Sequence, residues 1–185
     1  RVEVWADSQG SFVTKNQIAA LLSIPAGLIR VIPKEVGGAF GGKTPARVGP
    51  VCILLSRKTG RPVRITLSRE EVLRATGPGA PTVTVVKVGA KRDGTITAIE
   101  GRIAADSGAF PGAPLAGGML SGFSAYKTPN LKLTGHDVVT NKPKVAAYRA
   151  PGATAACYAV ECTMDEMAEA LKLDPIQFRL KNCSM

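Results

Sequence analysis

Between Val36 and Pro45 runs Gly37-Gly38-Ala39-Phe40-Gly41-Gly42-Lys43-Thr44, a stretch that ordinary packing does not account for. Four glycines in the six residues before Lys43 free the backbone from the steric limits of a Cβ, so successive N–H groups can turn toward one anionic guest. The upstream flank, Leu28 to Ile32, alternates as a strand does; downstream, Thr44 is an N-cap residue type and Pro45 suits the first helical position. Strand, glycine loop and helix N-terminus together predict a cradle for oxyanions.

Read as a bare pattern, Gly37-x-x-x-x-Gly42-Lys43-Thr44 satisfies the P-loop signature, in which the lysine reaches terminal phosphates and the threonine hydroxyl binds magnesium. The lead-in Pro33-Lys34-Glu35 is poor material for the end of a buried parallel strand. Asp106, after Ile103-Ala104-Ala105, is the best second magnesium ligand on offer.

The chain has 185 residues, 45% apolar but only 5% aromatic, with 20 glycines and 13 prolines. This balance predicts a loop-rich α+β body, as one domain or two small ones, built on Val, Ile, Leu and Ala. No apolar run reaches membrane-spanning length and no signal-peptide core follows Arg1, so the expectation is a soluble, cytoplasmic chain. Cys52, Cys157, Cys162 and Cys183 have no metal-ligand spacing, and His136 reads as a surface histidine. The formal charge of +10 asks for an anionic partner, but scattered Lys and Arg without interleaved aromatics argue against specific nucleic-acid binding.

Taken in order, the expected elements are a strand over 2–6, a helix over 14–22 with Ile18, Leu21 and Leu22 inward, and a helix over 46–56 with Val48, Val51, Cys52 and Leu55 on one face. Arg57-Lys58-Thr59-Gly60 supplies a basic last turn and a glycine stop. A strand over 62–67 and a capping box Ser68-x-x-Glu71 follow. Residues 82–90 and 95–103 alternate with period two around Asp93-Gly94, a strong hairpin signal. The glycine- and proline-rich run 111–124 is expected to be a loop, with strands over about 131–140 and 144–148 after it. Thr154 to Leu171 is amphipathic, with Val160, Met164, Met167 and Leu171 inward, and Asp174-Pro175 opens the last helix.

Several of these segments carry a resemblance. Gly37 to Lys43 resembles the glycine loop of the molybdenum hydroxylases, the xanthine dehydrogenase and aldehyde oxidase family that includes the carbon monoxide dehydrogenase large subunit. Ser8-Gln9-Gly10-Ser11-Phe12, Asp106-Ser107-Gly108-Ala109-Phe110, Tyr126-Lys127-Thr128-Pro129-Asn130, Ala147-Tyr148-Arg149-Ala150-Pro151-Gly152 and Asp174 to Asn182 are similar to further segments of that family, so the likeness spans essentially the whole chain.

What the resemblance implies is an α+β fold: mixed sheets with a long β-hairpin and flanking helices, a fragment of the molybdopterin-binding domain over 1–185 with subdomains at 1–78 and 79–185. It implies a cofactor, molybdopterin, including its cytosine dinucleotide form, carrying molybdenum. By resemblance Gln9, Gly38, Ala39, Phe40, Gly41, Gly42, Arg149, Ala150, Pro151 and Gly152 bind it, with Gln9, Phe40 and Arg149 near the metal and no direct metal ligand in the chain. The implied activity is hydroxylation of an aldehyde or N-heterocycle with water as oxygen source. The glutamate that acts as base is expected outside this chain, which would leave the isolated fragment inactive. The implied partners are the remainder of the molybdenum subunit, iron–sulfur and FAD subunits or domains, and a small-molecule substrate. Thr44 stands where purine-oxidising members carry glutamate, Pro151 where they carry an aromatic, and Ala150 where selective carbon monoxide oxidisers carry cysteine.

Overall fold

A computed structural model describes residues 1–184. It divides into two compact units, one of residues 1–78 with 146–149 and one of residues 79–145 with 150–184.

In the first unit β1 (Val2–Ala6) lies parallel to β2 (Ile29–Pro33), in the register Val4 to Val31. Parallel strands need a crossover, which is α1 (Ser11–Leu22) followed by a short 3₁₀ turn over Ala26–Leu28. Ile18, fully buried, packs with Val4, Ile29 and Ile53 into a small core. Leu21, expected inward, is exposed instead.

The helix after the glycine loop, α2 (Gly49–Thr59), starts at Gly49 rather than at Pro45 or Ala46. Pro50 rather than Pro45 occupies its first turn, Val48 is its N-cap, and Thr44 caps nothing. Its inward residue is Ile53, while Val51 and Leu55 are exposed. The inward direction is set by how the helix docks on Ile18 and Val4, and it falls on Ile53 rather than on the expected stripe. The C-terminal signal holds: Gly60 adopts φ 66° and its N–H returns to the Ser56 carbonyl. α3 (Arg69–Ala75) opens on the complete capping box, Ser68 and Glu71 each bonding the other's backbone N–H. Residues 62–67, read as a strand, have no ladder partner among the described residues.

In the second unit β3 (Thr82–Ala90) and β4 (Ile96–Gly108) form the expected antiparallel hairpin, and β5 (Leu131–Val139) adds to β4 in parallel. The tip is longer than a two-residue turn: only Gly94 of the Asp-Gly pair has positive φ, and Lys91 pairs with Thr95. Residues 144–148 form no strand.

The run read as a loop contains α4 (Leu115–Phe123), the crossover between β4 and β5. Its glycines are contact points rather than breakers: a Cβ on Gly122 would stand 2.6 Å from that of Ala156 in α5 (Ala153–Leu171), and one on Gly118 would stand 3.0 Å from the Gly152 carbonyl oxygen. Close approach of the two helices outweighs the helix propensity that glycine loses, about 1 kcal/mol each.

α5 buries Val160 and Met164 completely, against Ile99, Ile103 and Phe123. α6 (Pro175–Asn182) is capped by Asp174, whose carboxylate accepts from the N–H groups of Ile176 and Gln177 at 2.9 Å. Arg179 forks to Glu161 at 2.8 Å and Asp165 at 2.7 Å. The buried Asn182 accepts from the Ile96 N–H and donates to the carbonyls of Gly94 and Phe178. The polar residues of this closing segment therefore hold α6 onto the hairpin and α5. Among the described residues no helix is long and apolar enough to cross a membrane.

Candidate functional site

The glycine loop holds the densest run of positive-φ residues in the first unit. Gly37, Gly38, Phe40 and Gly41 have φ of 66°, 134°, 52° and 93°. Among the described residues, six other than glycine have positive φ. Ser23 and Lys172 are helix C-caps, where that conformation is ordinary. The others are Phe40, Arg47, Arg149 and Ala150, so the strain without a capping explanation falls on the loop, on Arg47 just beyond it, and on the turn singled out with it. Non-glycine residues persist in such conformations, at about 1–3 kcal/mol each, only where their surroundings fix them.

What fixes the loop is visible. The Arg149 N–H donates to the Phe40 carbonyl at 2.8 Å, and the Arg149 guanidinium lies 5.7 Å from the centroid of the Phe40 ring. Gly41 sits against Ala147, whose Cβ would be 2.9 Å from a Cβ at position 41. At the other end, Gln9 and Lys43 are joined reciprocally: Lys43 N–H donates to Gln9 Oε1 and Gln9 N–H to the Lys43 carbonyl, each at 3.1 Å. Gln9 is thereby held with its side-chain NH₂ donating to no described residue.

Two holding residues were not legible in advance. Arg47 donates to the Gly42 carbonyl through Nε at 2.7 Å and again through Nη2, while Nη1 donates to the Thr76 carbonyl after α3. Burial of the guanidinium pulls its pKa below the usual arginine value, with Asp7 acting in the opposite direction. Asp7 pairs with Lys43 Nζ at 2.8 Å. The available signals were an arginine four residues beyond the loop lysine and an acid directly before the Ser8-Gln9 segment.

These contacts decide against the P-loop reading. Lys43 Nζ is turned back onto Asp7 and the Val36 carbonyl, at 2.6 Å from the latter, rather than held toward a phosphate. Thr44 does not begin a helix. Asp106, the candidate magnesium ligand, is occupied in the second unit by Lys142 at 2.8 Å, Thr140 at 2.7 Å and the Gly108 N–H at 2.9 Å.

Donors for an anion are nonetheless present. Among the described residues, none of the N–H groups from Gly37 to Gly41 donates a hydrogen bond, and Arg149 has no carboxylate partner. Five consecutive free amides, an unpaired guanidinium and the Gln9 NH₂ are donor chemistry suited to an anionic, oxygen-rich group. Among the described residues there is no group of three or more His, Cys, Asp or Glu that could hold a metal ion. Ala150, Pro151 and Gly152 carry the chain from Arg149 into the second unit, where Gly152, at φ 82°, begins α5. A Cβ on Gly152 would collide with the Pro114 carbonyl, so glycine is required there.

Residues 1–183 match the family described as Molybdopterin cofactor-binding domain. The chain belongs to this family. It is 32% identical over 185 residues to a Bacillus subtilis (strain 168) protein named as a probable xanthine dehydrogenase subunit, covering 97% of this chain and 24% of that protein. It is 31% identical over 182 residues to the "Nicotinate dehydrogenase large molybdopterin subunit" of Eubacterium barkeri, covering 97% and 43% respectively. Among solved structures, quinoline 2-oxidoreductase from Pseudomonas putida 86 superposes with a TM-score of 0.90 at 31% identity, over 99% of this chain and 24% of the other. The chain thus spans less than half the length of these relatives. The α+β fold is that of molybdenum hydroxylase domains.

Proposed function

We propose that this chain is the molybdopterin-binding part of a larger molybdenum subunit, in an oxidoreductase that hydroxylates an aldehyde or N-heterocycle with water as the oxygen source. The observation that carries the reading is the positive-φ loop of free amides, Gly37 to Gly41, fastened at Phe40 to Arg149. It is supported by relatives whose names specify xanthine, nicotinate and quinoline, all nitrogen heterocycles.

When bound, the molybdenum group supplies oxygen transfer to an electrophilic carbon and takes up the two electrons released. The chain's own residues bind and orient. The amides of Gly38 to Gly41 and the Gln9 NH₂ would donate to oxygens of the group, and Arg149 would offset its negative charge with a forked donor set. Gly42, Ala150, Pro151 and Gly152 would set the backbone course on either side. The proton-abstracting base is assigned to a glutamate of the subunit outside residues 1–185. Iron–sulfur and FAD centres on other domains or subunits would pass the electrons on, in the cytoplasm. The cytosine dinucleotide form of the cofactor belongs to the same proposal, as does the inactivity of the isolated chain, which follows from placing the base outside it.

Metal analysis of the subunit that contains this chain tests the proposal. The expected result is about one molybdenum and one pterin per subunit, with turnover of an aldehyde or N-heterocycle. A folded subunit purified from molybdate-supplied cells without molybdenum or pterin overturns it.

A further inference from the structure

Pro62 to Leu67 has the sequence and exposure of a strand but not the pairing of one. Val63, Ile65 and Leu67 are half-buried while Pro62, Arg64 and Thr66 are exposed, a strict period of two. Among the described residues, no N–H from Val63 to Leu67 donates a hydrogen bond and no carbonyl from Pro62 to Leu67 accepts one. The run is rich in β-branched residues, and its proline stands at the first position, where a missing donor is tolerated. A segment that half-buries alternate side chains and leaves its backbone groups unpaired is a template for strand addition.

Charge narrows what can be added. From 57 to 69 the chain holds Arg57, Lys58, Arg61, Arg64 and Arg69 with no Asp or Glu, and none of the five forms an ion pair among the described residues. A second copy would set this cationic stretch against its own likeness, and like charges across a strand pair are destabilising. The chain accounts for 24% of the length of its Bacillus subtilis relative, so the rest of such a subunit is available to supply the missing strand.

We propose that residues 62–67 are a docking strand that pairs with an Asp- or Glu-bearing β-strand from the part of the molybdenum subunit outside residues 1–185. The inference rests on the chain being part of that larger subunit, but it concerns pairing and not the cofactor.

The test is hydrogen–deuterium exchange of the full-length subunit, resolved by residue over 63–67, alongside molybdenum analysis of the same sample. Alternate amides of Val63–Leu67 should exchange at least about 100-fold more slowly than unpaired amides, as ladder donors do. Arg64→Glu, which leaves the segment's backbone donors in place, should reduce that protection at least about tenfold while protection in β3 and β4 is unchanged. Free exchange of all five amides in a folded, molybdenum-loaded subunit overturns the docking strand and leaves the cofactor reading intact. Protection in a folded but metal-free sample has the reverse meaning. Protection that disappears on dilution to monomer assigns the partner to a second copy and overturns the proposal.

Discussion

Arg149 holds Phe40 twice, donating its backbone N–H to the Phe40 carbonyl at 2.8 Å and placing its guanidinium 5.7 Å from the ring centroid. Both residues adopt positive φ, at 32° and 52°. The strain at each is thus tied to the other, and the guanidinium is kept free of any described carboxylate.

Arg149→Ala in the complete subunit should lower cofactor retention and turnover by about 10–100-fold, the equivalent of about 1.5–3 kcal/mol for hydrogen bonds to a charged partner. Arg149→Lys should recover only part of this, because an ammonium keeps the charge but loses the fork. Molybdenum content and kcat/KM check the outcome. Wild-type values for Arg149→Ala would remove the arginine from the site.

Gly41 and Gly37 separate space from conformation. At Gly41 a Cβ meets Ala147 at 2.9 Å and φ is 93°, whereas at Gly37 nothing lies within 4 Å and φ is 66°. Gly41→Ala should destabilise the first unit by about 1–3 kcal/mol, and Gly37→Ala by about 1 kcal/mol. Urea unfolding of the two variants measures the difference. Equal costs would mean that Ala147 does not hold the loop.

Arg47→Ala deprives the Gly42 and Thr76 carbonyls of their guanidinium donor. A loss of about 1–3 kcal/mol is expected, with faster amide exchange across 38–43 and no recovery in Arg47→Lys, since one ammonium does not reproduce the planar fork. Unchanged exchange in that segment would show that Gln9 and Ala147 suffice.

Two groups predict opposite pH limbs in the second unit. Asp106 is held at about 2 rather than 3.8, by Lys142 first, then Thr140 and the Gly108 N–H. A depressed carboxylate stabilises fully above about pH 4, and that stabilisation fades as pH falls through about 2. Tyr126 is pushed from 10.0 up to about 12, by burial first and then by Glu161, so its share is complete below about pH 10 and is lost as pH rises through about 12. Asp106→Asn should flatten only the acid limb of a stability-versus-pH curve, and Tyr126→Phe only the alkaline limb.

Local signals in the sequence carried much of this fold. Ser68 with Glu71, Asp174 with Pro175 and the alternation on either side of Gly94 each act within a few residues, and each is formed. The misreadings are long-range. Gly118 and Gly122 look like loop glycines until α5 is placed against them, and Thr44-Pro45 looks like a helix start until Arg47 is seen at φ 35°, turning the chain before Gly49. The loop at 37–43 was legible as a stretch of unusual backbone conformation because glycine spacing is a backbone property. The residues that fasten it, Arg47, Asp7 and Ala147, stand at separations that no periodicity encodes.

The segment Ala146–Arg149 belongs with residues 1–78, although its neighbours on both sides belong with the other unit. A polypeptide cut after Pro78 would therefore keep the whole glycine loop but lack Ala147 beside Gly41 and an N–H for the Phe40 carbonyl. The loop's sequence is portable and its shape is not, so recombination that shuffles this stretch between proteins would transmit the motif without the conformation that gives it use.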